Sequence, residues 1–442
     1  MEFSSDKDLR LSVACSLPGH PSRGCDFDRG RGDHRVGHGA SSKGGIISLI
    51  VSTHTPSSDS GPAAAKPKSR EPKITTLDLF AGAGGLTEGL NAAPGRRFKA
   101  VRAVEMDSAA AATYTLNHGG QLRDSKVVGG PVYVGAIEDW LAKEDVPEVD
   151  VVVGGPPCQG FSTLNRAGVG SHRNELWKLY AETVERATPQ YFVLENVPAF
   201  LKSEQWGVFR EALDGGILKN YEIEFAVLNA ADYGAFQARK RVIVIGRHKD
   251  LPALGLPKKT HEGAHRNLAE ALLGVPRAVD RIGIPEGRVE FRGGEFPGCF
   301  RTRELHIGRP YRQLSLDRFA AISHDGGSRS ELPDDLKAPC WRKHAKGTGD
   351  VMGRLYWDKP SVTIRTEFYK PEKGRYIHPD QDRVITHYEA ALVQGFRKDY
   401  RWVGTRDDIA RQIGNAVPIP LGAAIGHVLV DALPRVETGP MP

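Results

Sequence analysis

Two turns in this sequence carry residues equipped for chemistry. The first is Gly154-Gly155-Pro156-Pro157-Cys158-Gln159-Gly160-Phe161-Ser162, which follows the apolar run Val149 to Val153 directly. A buried strand there delivers a thiol to the edge of a sheet. The two prolines ahead of Cys158 fix φ at consecutive residues and limit where the thiol points. The second turn is Asp78-Leu79-Phe80-Ala81-Gly82-Ala83-Gly84-Gly85-Leu86. Closely spaced glycines between a strand and a helix let a ligand approach the backbone. A dinucleotide fingerprint would read GxGxxG, but Thr87 stands where its third glycine would be. Glu105 ends the next apolar run, and a carboxylate there can accept hydrogen bonds from both hydroxyls of a ribose. The second turn and Glu105 together point to an adenosine-containing cofactor.

The identity of the thiol narrows the chemistry. An exocyclic amine attacks an electrophilic methyl group unaided, and enzymes for that reaction carry a polar residue, two prolines and an aromatic residue at such a loop. Gly155 and Cys158 occupy the two ends of that pattern here. A ring carbon such as C5 of cytosine is a poor nucleophile. A thiolate added at the neighbouring C6 pushes electron density onto it, so Cys158 matches the harder reaction.

The elements that must position these residues alternate in type. Ile74 to Phe80, Val101 to Val104, Val149 to Val153, Tyr191 to Leu194, Tyr221 to Leu228 and Val242 to Ile245 are β-rich apolar runs. Helical patterns over Leu86 to Ala93 and Ala109 to Leu116 separate the first of them. This alternation predicts a doubly wound α/β sheet whose ligands bind at the carboxyl ends of the strands. The informative turns all fall at such ends. Glu195 follows one run and could be an ordinary ion-paired carboxylate; Arg239 and Arg241 precede another and could be surface charges; Asn415 could be a helix cap.

Composition bounds the rest. The chain has 442 residues, 40% hydrophobic and 26% charged, with a formal net charge of +6. This is ordinary for a globular enzyme, and the mild basic excess fits a nucleic-acid partner. The five cysteines, Cys15, Cys25, Cys158, Cys299 and Cys340, form no CxxC pair and no zinc-ligand spacing, so no metal site is expected. Sparse, odd cysteines and the lack of a membrane-length apolar run predict a cytoplasmic protein. Residues 1–70 are rich in Gly, Ser, His, Arg and Pro without an apolar period, which predicts a disordered tail. From about Lys258 to Asp350 periodicity is weak, and Arg277, Arg281, Arg288, Arg292, Arg301, Arg303, Arg309 and Arg312 recur. Such arginines form either a solvated surface or contacts to phosphates and base edges.

The motifs, taken in order, resemble the DNA cytosine-5 methyltransferase family of prokaryotic, restriction-modification type over most of residues 74–430. Asp78 to Gly85 resembles its cofactor motif and Gly155 to Ser162 its catalytic loop. Glu195-Asn196-Val197, Gln237-Ala238-Arg239-Lys240-Arg241, Gln394-Gly395-Phe396 and Gln412-Ile413-Gly414-Asn415-Ala416-Val417-Pro418 resemble four further motifs. The resemblance implies a Rossmann-like S-adenosylmethionine-dependent sheet over residues 71–257 and a smaller, irregular target-recognition domain over 258–400. Residues 401–435 would return to the catalytic domain, and 436–442 would be a tail. It implies that Cys158 adds to C6 of a cytosine flipped out of double-stranded DNA while Glu195 holds the N3 and amine edge. Arg239 or Arg241 would contact O2, and both would organise the loop. S-Adenosyl-L-methionine would lie against Phe80, Gly82, Gly84, Gly85, Glu105, Ile137, Pro156 and Asn415. The enzyme would act as a monomer, with a restriction endonuclease as a separate cognate partner.

Four positions depart from the family pattern. Ala136 replaces an Asp that would reach the adenine amine, and Phe236 replaces a Pro before Gln237. Tyr388 replaces an Arg before Glu389, and His172 stands where an Asp commonly precedes Arg173. The alternatives are a tRNA cytosine-5 methyltransferase of the same fold and a catalytically impaired DNA-binding homologue. The Arg-rich insert favours DNA over tRNA, and the retained Cys158, Glu195 and Arg239 favour activity. The missing third glycine and the Cys-bearing loop disfavour a nicotinamide enzyme.

Overall fold

The computed structural model describes residues 73–157, 176–279, 281–343 and 350–433. Cys158, His172, residues 1–70 and residues 436–442 therefore lie outside the described residues. The described chain belongs to one compact unit, residues 68–442.

The chain starts with β1 (Ile74–Leu79), α1 (Gly85–Ala92), β2 (Phe98–Glu105), α2 (Ser108–Asn117), β3 (Gly120–Arg123), β4 (Lys126–Gly129), β5 (Val132–Val134) and α3 (Ile137–Lys143). It continues through β6 (Val151–Gly154), α4 (Leu176–Ala187), β7 (Tyr191–Asn196), α5 (Glu204–Leu213), β8 (Tyr221–Asn229), β9 (Gln237–Ala238) and β10 (Lys240–His248). A seven-stranded sheet takes the order β5-β2-β1-β6-β7-β10-β8. Strands β5, β2, β1, β6 and β7 are parallel, and β10 runs antiparallel to both β7 and β8. The expected doubly wound sheet is thus present, with one reversed strand next to its edge.

The sheet's composition follows from its burial. Val151, Val152 and Val153 are all buried, as are Val242 to Ile245. Strands covered on both faces need continuous apolar runs rather than alternation. Leu77, Leu79, Val152, Phe192, Leu194 and Val244 pack with Trp140 of α3, Tyr180 of α4 and Phe209 of α5. The opposite face packs with Leu86 and Leu90 of α1 and with the last helix of the chain.

The second half contains α6 (Leu268–Ala271), β11 (Arg288–Phe291), β12 (Gly294–Arg301), α7 (Gln313–Ala320), α8 (Pro339–Lys343), β13 (Ser361–Val362), α9 (His387–Gln394), β14 (Arg401–Val403), α10 (Arg406–Asn415) and α11 (Ile419–Ala432). A second sheet has the order β14-β12-β11-β4-β3, so residues 120–129 join residues from far along the chain. Its hairpin β11–β12 turns at Arg292 and Gly293, with φ of 52° and 82°. Two positive φ values in a two-residue loop match the twist of antiparallel strands. Helix α2 seals this sheet through Ala111, Ala112 and Tyr114 against Val127, Val289, Phe291 and Val403.

Several arginines of the irregular segment serve its own backbone. Arg354 is fully buried and donates to the carbonyls of Ile322 (3.1 Å), Phe319 (2.7 Å) and His378 (3.0 Å). Arg309 donates to Tyr369 O at 3.0 Å. Unsatisfied carbonyls are costly in a region with little regular structure, and the planar guanidinium can serve several at once.

Helices α1 and α11 cross at their glycines. A Cβ on Gly89 would lie 2.7 Å from the Cα of Gly422. The contact carries the C-terminal part of the chain onto the glycine turn after β1.

Candidate active site

The carboxyl ends of β1 and β2 build the first half of the site. Phe80, Gly82 and Gly84 all have positive φ (55°, 55° and 87°). Phe80 is the unusual member, since a side chain in this region is held there only by its surroundings. It packs into the same apolar cluster as Ile137, a buried residue in the first turn of α3. A Cβ at Gly84 would lie 2.5 Å from His118 Nε2, and one at Gly85 would lie 2.9 Å from Ala416 Cβ. Gly85 thereby brings Asn415, exposed at the end of α10, beside the turn. At Gly82 a Cβ would meet nothing within 4 Å, so the turn is open on that side.

Glu105 closes this half. Its Oε2 accepts from Gly82 N at 2.7 Å and its Oε1 from Asp107 N at 2.7 Å. Burial raises its pKa above the usual carboxylate value, against these two backbone donors. Each oxygen keeps a further acceptor site for a ligand hydroxyl. Met106 follows Glu105 and is 69% exposed, an apolar side chain left uncovered at the rim. An open glycine turn, a fixed carboxylate and an uncovered apolar platform together fit an adenosine cofactor. The sequence reading passed over Met106; its place next to an acidic strand end was the available signal. Ala136 caps α3 without a side-chain bond, and Glu138 and Asp139 occupy the first turn behind it.

A buried polar network lies under the turn. Thr87, the residue that breaks the dinucleotide pattern, donates its hydroxyl to Asp78 Oδ2 and lies 3.0 Å from Tyr114 OH. Tyr400 donates to Ala83 O and lies 3.2 Å from His118 Nε2. Burial pushes the Asp78 carboxyl up to about 7. The folded chain therefore keeps a proton on Asp78 at a pH where the unfolded chain, near 3.8, has lost it. Stability from this group falls as pH rises from about 4 to about 7. Asp78→Asn is neutral throughout, so its melting temperature should gain on the wild type between about pH 4 and pH 7 and level off above that. A constant difference across that range in thermal melts would show that Asp78 is not protonated there.

The ends of β6 and β7 build the second half. Glu195 Oε1 pairs with Arg241 Nε at 2.7 Å, both side chains mostly buried. A Cβ at Gly155 would come 2.8 Å from Glu195 Oε2, so a larger residue there would push this carboxylate out of its place against the backbone after β6. Asn196 Nδ2 donates to the carbonyl of Pro156 at 3.2 Å and fixes the start of the Cys158 loop. Pro156 is buried and Pro157 exposed.

Arg239 points elsewhere. It is buried and donates to Ile364 O at 2.8 Å and Gly414 O at 2.9 Å. Burial and then the neighbouring Arg241 lower its pKa to about 9. Gln237 continues this connection, donating to Gln394 Oε1 at 2.7 Å and accepting from Ile364 N at 3.1 Å. Of the two arginines, Arg241 stands beside Glu195, while Arg239 ties the carboxyl edge of the sheet to the residues before Asn415.

The departures at 236 and 388 have structural accounts. Phe236 lies under the Arg266 guanidinium, whose Cζ is 4.1 Å from the ring centroid. Tyr388 is buried and meets His306 edge to face at 5.8 Å. Glu389 finds its arginine six residues earlier: both guanidinium NH groups of Arg383 donate to its oxygens at 2.8 Å. Arg383 also donates to Arg277 O at 2.8 Å, joining α9 to the Arg-rich segment.

A largely parallel sheet with one reversed strand, a glycine turn and an acidic second strand end define a Rossmann-like methyltransferase fold. Residues 74–291 and 299–431 match the C-5 cytosine-specific DNA methylase family, and the chain belongs to it. It is 30% identical over 389 residues to the type II methyltransferase M.XorII of Xanthomonas oryzae pv. oryzae, covering 82% of this chain and 86% of that protein. It is 29% identical to DNA (cytosine-5)-methyltransferase 4 of Arabidopsis thaliana over 82% of this chain, but spans only 29% of that relative. The crystal structure of a protein described as a DNA modification methyltransferase encoded within an E. coli prophage superimposes with a TM-score of 0.59 at 25% identity. The match covers 82% of this chain and 99% of that one.

Proposed function

We propose that this chain transfers a methyl group from S-adenosylmethionine to C5 of cytosine at a specific site in double-stranded DNA. The observation that carries the reading is the approach of Glu195 to Gly155. A carboxylate held by Arg241 lies against the backbone that leads into Pro156, Pro157 and Cys158. This brings the chain that leads to Cys158, as far as Pro157, and an anchored acid to one strand edge, next to the Gly82–Glu105 turn.

When bound, S-adenosylmethionine supplies the electrophilic methyl group. Phe80, Gly82, Gly84, Gly85, Glu105, Ile137, Pro156 and Asn415 would hold it, with Met106 added as a rim contact. C6 of cytosine is unreachable inside a duplex, so the base must be flipped into the site. The Cys158 thiolate forms a bond to C6, and the ring's electron pair moves to C5. Glu195 holds N3 and the amine edge as charge develops there, and Arg241 holds Glu195. After methylation C5 loses its proton to a base, the ring double bond reforms and the thiolate leaves. Residues 71–257 and 401–435 would carry this chemistry, and residues 258–400 would read the target. A restriction endonuclease cutting the same unmethylated site would be a separate partner.

Bisulfite sequencing of plasmid DNA from a methylation-free host expressing the chain tests the proposal. Protected cytosines within one short sequence are expected, and that sequence is the recognition site. Complete conversion in the presence of soluble protein would reject it.

A further inference from the structure

The glycine turn after β1 is held by a residue from outside its own motif. Gly84 N donates to Ala81 O at 2.9 Å and closes the turn. At the other end of the same peptide, Ala83 O accepts from the hydroxyl of Tyr400, 317 residues further along the chain. A trans peptide points its N–H and its carbonyl in opposite directions, so these two bonds hold the Ala83–Gly84 plane from both sides. Gly82 and Gly84 flank that plane, and glycine visits positive φ at little steric cost, so the plane turns easily once its carbonyl is released. Glu105 fixes the N–H of Gly82, and Tyr400 fixes the peptide that follows.

Tyr400 is itself set firmly in place. It is fully buried, with its ring 4.8 Å from that of Phe396 and 5.2 Å from that of Trp402. Its backbone carbonyl accepts from Thr302 N at 2.9 Å and from Thr302 Oγ1 at 3.2 Å, just past β12. The hydroxyl proton goes to Ala83, so the hydroxyl oxygen is left to accept from His118 Nε2 at 3.2 Å. His118 fills the space that a side chain on Gly84 would need. Many buried tyrosines satisfy a carbonyl and contribute stability alone. The carbonyl served here belongs to the turn whose open side, at Gly82, faces the proposed cofactor.

We infer that Tyr400 is a positioning residue for S-adenosylmethionine: its hydroxyl, oriented by His118, holds the Ala83–Gly84 peptide in the orientation that the cofactor meets. The inference rests on the proposed cofactor and adds to its site a residue that touches no reacting atom.

Titration calorimetry with S-adenosylhomocysteine, which carries no transferable methyl group, tests this apart from catalysis. Tyr400→Phe keeps the ring and leaves Ala83 O without its donor. Its Kd for S-adenosylhomocysteine should rise about tenfold, the scale of leaving one buried polar group unpaired. The KM for S-adenosylmethionine should rise with it, while kcat and the KM for DNA stay within about twofold of the wild type. Tyr221→Phe is the control for stability alone. Tyr221 is buried and donates to Pro189 O at 2.9 Å, at the amino end of β7, the end of the sheet away from Glu195. It should lower the melting temperature comparably and bind S-adenosylhomocysteine as the wild type does. Should Tyr400→Phe fail to fold, His118→Leu removes only the donor that orients the hydroxyl, and about threefold weaker binding is expected. Wild-type affinity in the folded variant of this pair would overturn the inference and leave Tyr400 a stability contact. Equal weakening in Tyr221→Phe would overturn it as well, since the loss would then follow stability. A wild type that binds no S-adenosylhomocysteine would reject the cofactor together with the inference, which separates that failure from the other two.

Discussion

Cys158→Ala should lower methyl transfer by more than about a thousandfold, because no other group in the mechanism can activate C5. DNA affinity should stay close to that of the wild type, since the thiol contributes its bond only after the base is in place. The two readings separate cleanly with a duplex carrying 5-fluorocytosine at the target. Fluorine at C5 cannot leave as a proton, so elimination of the thiolate is blocked. Wild-type enzyme with S-adenosylmethionine should give an adduct stable to denaturation, and Cys158→Ala should give none while still shifting the DNA. A variant that retained turnover would sink covalent addition by this residue and move attention to a different nucleophile. A variant that lost DNA binding as well would mean that the loop after Pro157 acts in recognition rather than chemistry.

The parts of this molecule legible in sequence share one physical property. Strands β1, β6, β7 and β10 are covered on both faces, so their apolar runs are nearly continuous and stand out. The turns carrying the candidate residues follow those strands, which is why Gly82 and Glu195 could be placed with them, while Glu105 ends the partly exposed β2. The second sheet was not legible. Four of its five strands have only three or four residues and most are partly exposed, and it joins residues 120–129 to 288–301 and 401–403. Its hairpin lacks the Asn-Gly that usually signals a turn with two positive φ values; Arg292 takes the first position instead. The recurrence of Arg between 258 and 350 leaves open a solvated surface or contacts to phosphates; within it Arg309 serves a backbone carbonyl and Arg277 pairs with Asp380 at 2.5 Å. Arg239 stands in a motif that the resemblance associates with the reacting base, and two of its donors are bound by the carbonyls of Ile364 and Gly414. Residue type announces a donor; only the fold decides which acceptor it meets. Thr87 shows the converse. As a missing glycine it merely weakened one pattern, whereas in the structure its hydroxyl satisfies the buried Asp78.

Glu195→Gln should lower kcat by about a hundred- to a thousandfold, the usual effect of removing one group that stabilises developing charge. The substitution keeps the shape and one acceptor oxygen. It removes the negative charge that Arg241 Nε approaches at 2.7 Å, and with it the group that can share a proton with N3 of the base. Binding of the flipped base in its ground state depends less on that charge, so the loss should fall on kcat more than on the KM for DNA. Arg241→Met probes the same pair from the other side. It leaves the carboxylate in place without its anchor, and a smaller loss, about tenfold, is expected because orientation rather than charge is removed. If Arg241 acts only through Glu195, the double variant should be no worse than Glu195→Gln alone, a non-additivity that a double-mutant cycle measures directly. Melting temperatures recorded alongside separate this from simple destabilisation. Near-wild-type kcat in Glu195→Gln would reduce the pair to a structural ion bridge at the end of β7. Additive losses in the double variant would instead give Arg241 a contact of its own with the substrate.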